Sequence, residues 1–148
     1  MMIVKLEQDL SLNDIEILIK YGTRYKDAQR IALMIESFNT RIKCSLEGGE
    51  KLVNTSDIYY FESVDKRTFV YCEKSVYRTD LRLYQLAEDF AHLGFVQINK
   101  ACVLNINILD EVRPLINSRM EATLKNGGRL YITRKYLDNI KQALQEGV

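Results

Sequence analysis

Three short stretches of the sequence combine lysine, arginine and small polar side chains, and each lies where a predicted strand or helix begins or ends. Their eight residues are Lys66, Arg67 and Thr68, then Asn99 and Lys100, and then Thr133, Arg134 and Lys135. Side chains at such boundaries project from a rigid scaffold. Lysine and arginine bind phosphates, and arginine and asparagine also hydrogen-bond to base edges in the major groove. These residue types therefore favour recognition of a nucleic acid.

Each stretch also has an ordinary structural interpretation. The charges of the first stretch lie in a turn, where charges are usually only solvated, and Lys100 can snorkel from an apolar strand. Thr133 can act solely as a helix cap. Arg134 and Lys135, however, fall at a predicted helix N-terminus, where the helix dipole disfavours cations. Their position therefore favours a functional explanation.

The N-terminal part of the chain predicts two strands and a helix. Residues 3–8 and 14–20 alternate or run apolar in the manner of strands. A helix with apolar residues at helical spacing follows, with Thr23 as its expected N-cap and its end near Asn39. We expect residues 1–40 to form a strand–helix extension.

From residue 41 onward the pattern is typical of strands. Gly48-Gly49 and Asn126-Gly127-Gly128 predict hairpins. A second helix is expected to be capped by Thr79 or Asp80 and to end at Gly94. Strands are expected over residues 41–46, 51–54, 57–62, 68–72, 76–78, 102–108, 109–115, 120–125 and 130–132, with a short C-terminal helix marked by Leu137, Ile140 and Leu144.

The sequence offers little for catalysis. Its single histidine, His92, lies at the end of the predicted second helix, and Cys44, Cys72 and Cys102 fall in apolar, strand-like segments. A thiol nucleophile needs a base in contact with it, so an enzyme would require His92 to pair with a cysteine. No Cys/His cluster has zinc spacing, and no nucleotide-binding glycine motif occurs. We therefore expect no enzyme activity, metal, cofactor or small-molecule substrate.

The bulk composition is that of an ordinary globular protein. The chain has 148 residues, 47% of them hydrophobic and 28% charged, which fits one domain or one domain with a short extension. A net charge of +1 means that any nucleic-acid binding comes from a local patch. Three cysteines without a CxxC motif favour reduced thiols. With neither a signal peptide nor an apolar run of the ~18–20 residues that a membrane span requires, the expected location is cytoplasmic.

Four ordered sequence blocks resemble the LytTR domain, the DNA-binding half of LytR/AlgR-type bacterial response regulators. The blocks are Asp57-Ile-Tyr-Tyr-Phe-Glu-Ser63, Arg78-Thr79-Asp80-Leu81, Gly94 to Asn105 and Asn126 to Tyr136. The first is similar to the family's D-I-x-Y-I/F-E-S/A strand, and the second to its R-x-S/T-L helix entry. The last is similar to its terminal N-G-x-x-L/I-x-V/I-S-R-x-Y/F block. The resemblance covers residues 41–145, which identifies residues 41–148 as a DNA-binding domain of this kind.

The resemblance implies a mainly β (α+β) fold, an elongated stack of small antiparallel sheets with short flanking helices. It implies a transcriptional regulator whose loops, rather than a recognition helix, enter successive major grooves of duplex DNA. The family's contact positions fall on the three basic stretches named above. Asn99 stands where many members have His or Ser, Ala101 replaces a usual Ser, and Thr133 replaces Ser conservatively. These departures bear on the base preference.

The resemblance also implies partners. Residues 1–40 are too short for the phospho-accepting receiver domain of response regulators, so the chain resembles the stand-alone members of the family. Such members are often found with a small membrane protein that holds them inactive. Family members bind direct repeats, which implies a homodimer on DNA, and we expect self-association through the N-terminal helix. The alternative is a non-catalytic β-rich protein-interaction module.

Overall fold

Strands dominate the structure. A computed structural model describes residues 1–147 of the chain, with side chains through residue 144. Its helices are α1 (Tyr25–Asn39), α2 (Leu83–Asp89) and α3 (Leu137–Gly147). Its strands are β1 (Arg41–Leu46), β2 (Gly49–Asn54), β3 (Ile58–Val64), β4 (Arg67–Cys72), β5 (Val76–Thr79), β6 (Phe95–Asn99), β7 (Cys102–Asn105), β8 (Leu109–Leu115), β9 (Arg119–Leu124) and β10 (Arg129–Ile132). The mainly β fold expected from the sequence is confirmed.

The strands form two antiparallel sheets. The larger has seven strands in the order β2-β1-β5-β4-β3-β7-β6, and the smaller has three in the order β10-β9-β8. The expected stack of small sheets is thus one sheet of seven strands and one of three. Strands separate the three helices along the chain, so the described residues contain no helix-turn-helix. None of these helices is both long enough and apolar enough to cross a bilayer.

The larger sheet has a hydrophobic core on each face, and β7 contributes to both. Val103 packs in one core with Phe61 and with Leu86 of α2. Its neighbours Cys102 and Leu104 pack in the other core, together with residues of the smaller sheet and α3. Successive side chains of a strand point to opposite faces, so a strand buried on both sides lacks polar alternation. All four residues of β7 are buried accordingly.

The two strands expected at residues 3–8 and 14–20 are not formed. This part of the chain contains a turn, in which the Leu12 N–H donates to the Asp9 carbonyl at 3.2 Å, and its side chains are almost all exposed. A strand needs a neighbour for its backbone hydrogen bonds, and these residues pair with neither sheet. The extension is therefore an arm without strands, followed by α1.

Both helix starts differ from the expected ones, and the end of α1 agrees. Arg24, not Thr23, precedes α1, and α1 ends at Asn39 as expected. The second helix begins three residues after Asp80, where the backbone N–H of Arg82 donates to the Gln85 Oε1 at 2.8 Å. α2 ends at Asp89, before the expected end, and a 3-10 turn over Ala91–Leu93 follows it. That turn ends at Gly94, whose φ of 95° is the left-handed conformation that glycine adopts without strain.

Candidate nucleic-acid interface

The first basic stretch forms the tight turn between β3 and β4. Val64 pairs with Arg67, and the two residues between them, Asp65 and Lys66, have φ of 50° and 65°. Positive φ at both central positions is the geometry of a type I′ turn, whose twist matches that of the flanking strands. Lys66 and Arg67 are exposed at the end of the sheet, whereas Thr68 is only 5% exposed. The turn therefore presents two cations, and Thr68 packs beneath them.

The second stretch connects β6 to β7. The side-chain amide of Asn99 is held at both ends, since Oδ1 accepts from the Ala101 N–H at 2.9 Å and Nδ2 donates to the Tyr131 carbonyl at 3.0 Å. Lys100, the next residue, is exposed. Asn99 therefore fixes the shape of the loop and joins it to β10, while Lys100 projects from it.

The third stretch links β10 to α3. Thr133 precedes a 3-10 turn over Arg134–Tyr136, and its side chain makes no capping hydrogen bond. Its backbone N–H donates to the Ile98 carbonyl at 3.0 Å, which joins this link to β6. Arg134 and Lys135 are exposed in the 3-10 turn. They precede α3 rather than occupying its first turn, which lessens the unfavourable interaction with the helix dipole.

The three stretches meet at one end of the molecule. β3 and β7 are neighbours, and the Ser63 N–H donates to the Ala101 carbonyl at 2.8 Å, which joins the first loop to the second. The Asn99 and Thr133 hydrogen bonds described above join the second loop to the third. We call this surface the basic edge, with the exposed cations Lys66, Arg67, Lys100, Arg134 and Lys135. The structure thus brings together stretches that lie more than 30 residues apart in sequence.

The charges of the basic edge are not neutralised by nearby carboxylates. Among the side chains described, the ion pairs are Arg24–Asp27, Lys43–Glu50 and Arg113–Glu121, none of which involves the five cations. The ammonium of Lys135 lies 5.7 Å from the ring centroid of Tyr136, which leaves its charge available. A cluster of unpaired cations on interlinked loops has the chemistry to bind a polyanion.

The model of the LytTr DNA-binding domain family matches residues 48–145, which is more than half of the chain. The chain belongs to the LytTR family. A solved LytTr DNA-binding domain, from a putative methyl-accepting/DNA response regulator of Bacillus cereus, superimposes with a TM-score of 0.67 at 20% identity. The superposition covers 71% of this chain and 96% of that domain, and it supports the fold.

Curated relatives of this LytTR protein include longer regulators. The sensory transduction protein LytT of Bacillus cereus is 27% identical over 105 residues, covering 71% of this chain and 43% of that protein. An uncharacterised HTH-type transcriptional regulator of Staphylococcus aureus is 26% identical over 93 residues, covering 63% of each chain. The LytTR chain therefore spans less than half of the LytT protein and less than two-thirds of the staphylococcal one.

Sequence reasoning missed two arginines beside the basic edge of the LytTR domain. Thr79, the last residue of β5, pairs with Thr68, which places Arg78 and Arg82 beside the first loop. Arg82 Nη1 donates to the Lys66 carbonyl at 3.4 Å, and both arginines border an open depression of about 360 Å³. Arg78 entered the sequence argument only as part of a family block. The β4–β5 pairing that carries both to this edge is a long-range feature.

The cysteines of the LytTR domain lie in conditions that suppress thiolate formation. Burial raises the pKa of Cys44 and Cys72 to about 11, and it raises the pKa of Cys102 as well. A thiol is nucleophilic as its thiolate, so these environments oppose the enzyme alternative. His92 lies exposed in a 3-10 turn over Ala91–Leu93. Within the part of the chain described, no three His, Cys, Asp or Glu side chains are grouped to hold a metal ion.

Proposed function

We propose that this LytTR protein is a transcriptional regulator that binds duplex DNA sequence-specifically through the basic edge. The observation that carries the proposal is the chain of hydrogen bonds, from Ser63 to Ala101 and from Asn99 to Tyr131, that holds three basic loops side by side. Loops on a rigid scaffold can enter successive major grooves without a recognition helix. The family match supports DNA as the ligand.

The exposed side chains divide into two roles. Lys100 and Arg134 project from the second and third loops and are the proposed base contacts, because their side chains can donate to guanine O6 and N7. Lys66, Arg67 and Lys135 neutralise phosphates and fix the register on the duplex. If Lys100 and Arg134 contact phosphates as well, all five cations contribute, and the logarithm of the binding constant falls with the logarithm of salt concentration at a slope of about −4 to −5 per subunit.

The polar members of the three stretches support these cations. Thr68 is nearly buried, so its proposed role is to hold the β4 end of the first loop. Asn99 keeps one amide hydrogen and one lone pair uncommitted, so it can contact DNA while it joins two loops. Thr133 is partly exposed beside Arg134, and its hydroxyl makes no capping hydrogen bond, so it can donate a hydrogen bond to a phosphate.

A binding experiment with matched variants tests the proposal. Fluorescence anisotropy with duplex DNA from upstream of the protein's own reading frame would be measured for Lys100→Ala, Arg134→Ala and the double variant. Lys125→Ala is the matched control, because Lys125 is an exposed cation in the β9–β10 turn, at the opposite end of the smaller sheet. We expect both single variants to bind more weakly than wild type, with unchanged circular dichroism. Equal binding by all variants would overturn the assignment.

The proposed partners follow from DNA binding. Two copies would bind a direct repeat as a homodimer, each with its basic edge in successive grooves of its own half-site. A small membrane protein is the proposed controlling partner. The proposed location is the cytoplasm, where duplex DNA is accessible in a bacterial cell. Copurification of the chain with a tagged small membrane protein, measured with and without operator DNA, tests the second partner.

A further inference from the structure

The first 21 residues form an arm ahead of α1 that joins neither sheet. Every arm residue except Ile19 is exposed. Large apolar side chains in its second half are exposed to solvent: Ile15 by 87%, Ile17 by 58%, Leu18 by 75% and Tyr21 by 52%. Large apolar side chains exposed close together in sequence indicate an interaction site.

Residues 14–21 have the two-faced alternation of a half-buried strand. One face carries only apolar side chains, namely Ile15, Ile17, Ile19 and Tyr21. The other carries Asp14, Glu16, Leu18 and Lys20. A segment with this pattern has an unused row of backbone donors and acceptors and a face to bury, so what it lacks is a neighbouring strand.

We propose that the missing neighbour is the same segment of a second copy, paired antiparallel about a twofold axis through Leu18. In this register Glu16 lies opposite Lys20 of the second copy, and the symmetry makes this pair twice. Opposite charges across two strands stabilise the pairing. Neither side chain has an ion pair within the described part of its own chain. The charge pattern is thus complementary to itself, as a twofold interface requires.

The first half of the arm is a poorer neighbour for the second half. The Asp9–Leu12 turn would set the register of a hairpin within one chain, and that register places Lys5 opposite Glu16 but Glu7 opposite Asp14, so one attractive pair is offset by one repulsive pair. Like charges directly opposite each other destabilise a strand pair. The structure accordingly contains no strand pairing between the two halves of the arm.

The apolar face of the arm continues onto the start of α1. A two-stranded ribbon is marginal in water, so its apolar face has to pack on something. The rings of Tyr21 and Tyr25 are 5.8 Å apart, which joins that face to the first turn of α1. Met34 and Phe38, one helical turn apart on α1, are 49% and 70% exposed. They lie more than two turns beyond Tyr25 and on the opposite side of α1, so the apolar face of the arm continues onto the first turn of the helix and not onto these two side chains.

This association does not impose its symmetry on the basic edges. Gly22 lies between the arm and α1, and nothing lies within 4 Å of the position that a Cβ would take there. Rotation at this point would let two DNA-binding domains lie in the same direction on a direct repeat. The proposal does not rest on DNA binding, since self-association is measured without DNA.

A charge-swap series tests the register. Sedimentation velocity over a range of protein concentrations would be measured for the full chain, for Glu16→Lys, for Lys20→Glu and for the double variant. Each single variant makes both cross-strand pairs repulsive, so the dimer dissociation constant should rise on the order of tenfold or more. The double variant, and a mixture of the two single variants, restore opposite charges and should dimerise as wild type does. The proposal would be overturned if the wild type stayed monomeric, or if the dimer dissociation constant did not change with these charges.

Cross-linking locates the axis independently. Directly opposite residues of antiparallel strands have Cα atoms about 4.5–5.5 Å apart, within the range that a disulfide spans. Leu18→Cys should therefore form a dimer on oxidation, read on a non-reducing gel. Ile15→Cys, which would lie opposite Tyr21 rather than itself, should not, and oxidised wild type controls for the native thiols. Equal cross-linking at both positions would contradict the register.

Discussion

The basic edge and the N-terminal arm both contain sequence typical of strands or strand ends, yet only the segments of the basic edge pair within their own chain. Hydrogen bonds from Ser63, Asn99 and Thr133 fix the three basic loops relative to one another. Residues 14–21 of the arm have strand-like alternation and make no strand pairing within one chain. The difference shows that alternation specifies which face is to be buried, and that the neighbouring strand decides whether the segment becomes a strand.

The largest difference between the two regions should be in how far a substitution lowers the free energy of unfolding. Phe61 is fully buried in the core that supports β3, so Phe61→Ala should lower the free energy of unfolding by about 3–5 kcal/mol. Ile17→Ala in the arm should leave the free energy of unfolding nearly unchanged at concentrations where the chain is monomeric. Urea denaturation followed by circular dichroism measures both. A similar loss for both variants would show that the arm packs on its own chain.

Removal of one cation from the basic edge should have the next largest effect. Arg134→Ala should weaken binding to the specific site by about 1–3 kcal/mol, because a good base contact contributes about that much discrimination. Binding isotherms at several salt concentrations measure the loss. If Arg134 also contacts a phosphate, the salt slope should fall by about 1. Ile17→Ala leaves the basic edge intact, so monomer binding to a single half-site should remain at the wild-type level.

The amide that joins two of the loops should have a smaller effect on stability than Phe61. Asn99→Ala removes the hydrogen bonds to Ala101 and Tyr131, which should cost about 1–2 kcal/mol of unfolding free energy. DNA affinity should fall as well, because the second and third loops lose their connection. Asn126→Ala removes one local hydrogen bond to Gly128 in the β9–β10 turn, and should leave DNA affinity unchanged. Unaltered affinity in Asn99→Ala would show that the loops are held by the backbone alone.

The smallest effect is expected from alkaline pH. Burial raises the pKa of Cys44 and Cys72 to about 11 and that of Tyr60 to about 12, so folding favours their neutral forms. Their contribution to stability is complete below the unfolded-state pKa values near 9 to 10 and is lost as pH rises through the folded-state values. Melting temperatures should therefore be flat near neutral pH and decline above about pH 9. A rise in melting temperature over that interval would contradict the burial of these groups.

Local sequence signals predicted much of the fold, and long-range pairing accounts for most of what they missed. The turn at Gly48-Gly49 and the Asn126-Gly127-Gly128 hairpin depend on a few adjacent residues, and both are present. The expected start of the second helix was wrong because a threonine can also serve in a neighbouring strand. Thr79 does so, as the last residue of β5, although its hydroxyl accepts from the Leu81 N–H at 3.3 Å.

In the candidate site too, local signals were predictable from the sequence and long-range pairing was not. The three basic stretches were visible in the sequence because residue type and position at an element boundary are local. Their arrangement on one edge depends on the β3–β7 pairing and on hydrogen bonds between residues about 30 positions apart, such as Asn99 and Tyr131. Arg82 was missed for that reason, since its hydrogen bond to the Lys66 carbonyl spans 16 residues. DNA contact by these residues stays a prediction.

The double burial of β7 has a thermodynamic consequence. Val103 packs in one core and Leu104 in the other, so loss of structure in either core would expose one face of β7. The other core, which packs on the opposite face of the same strand, would then be destabilised. The two cores should therefore lose their structure as a single cooperative unit rather than in sequence. Calorimetry should show one endotherm, with a van't Hoff enthalpy equal to the calorimetric enthalpy.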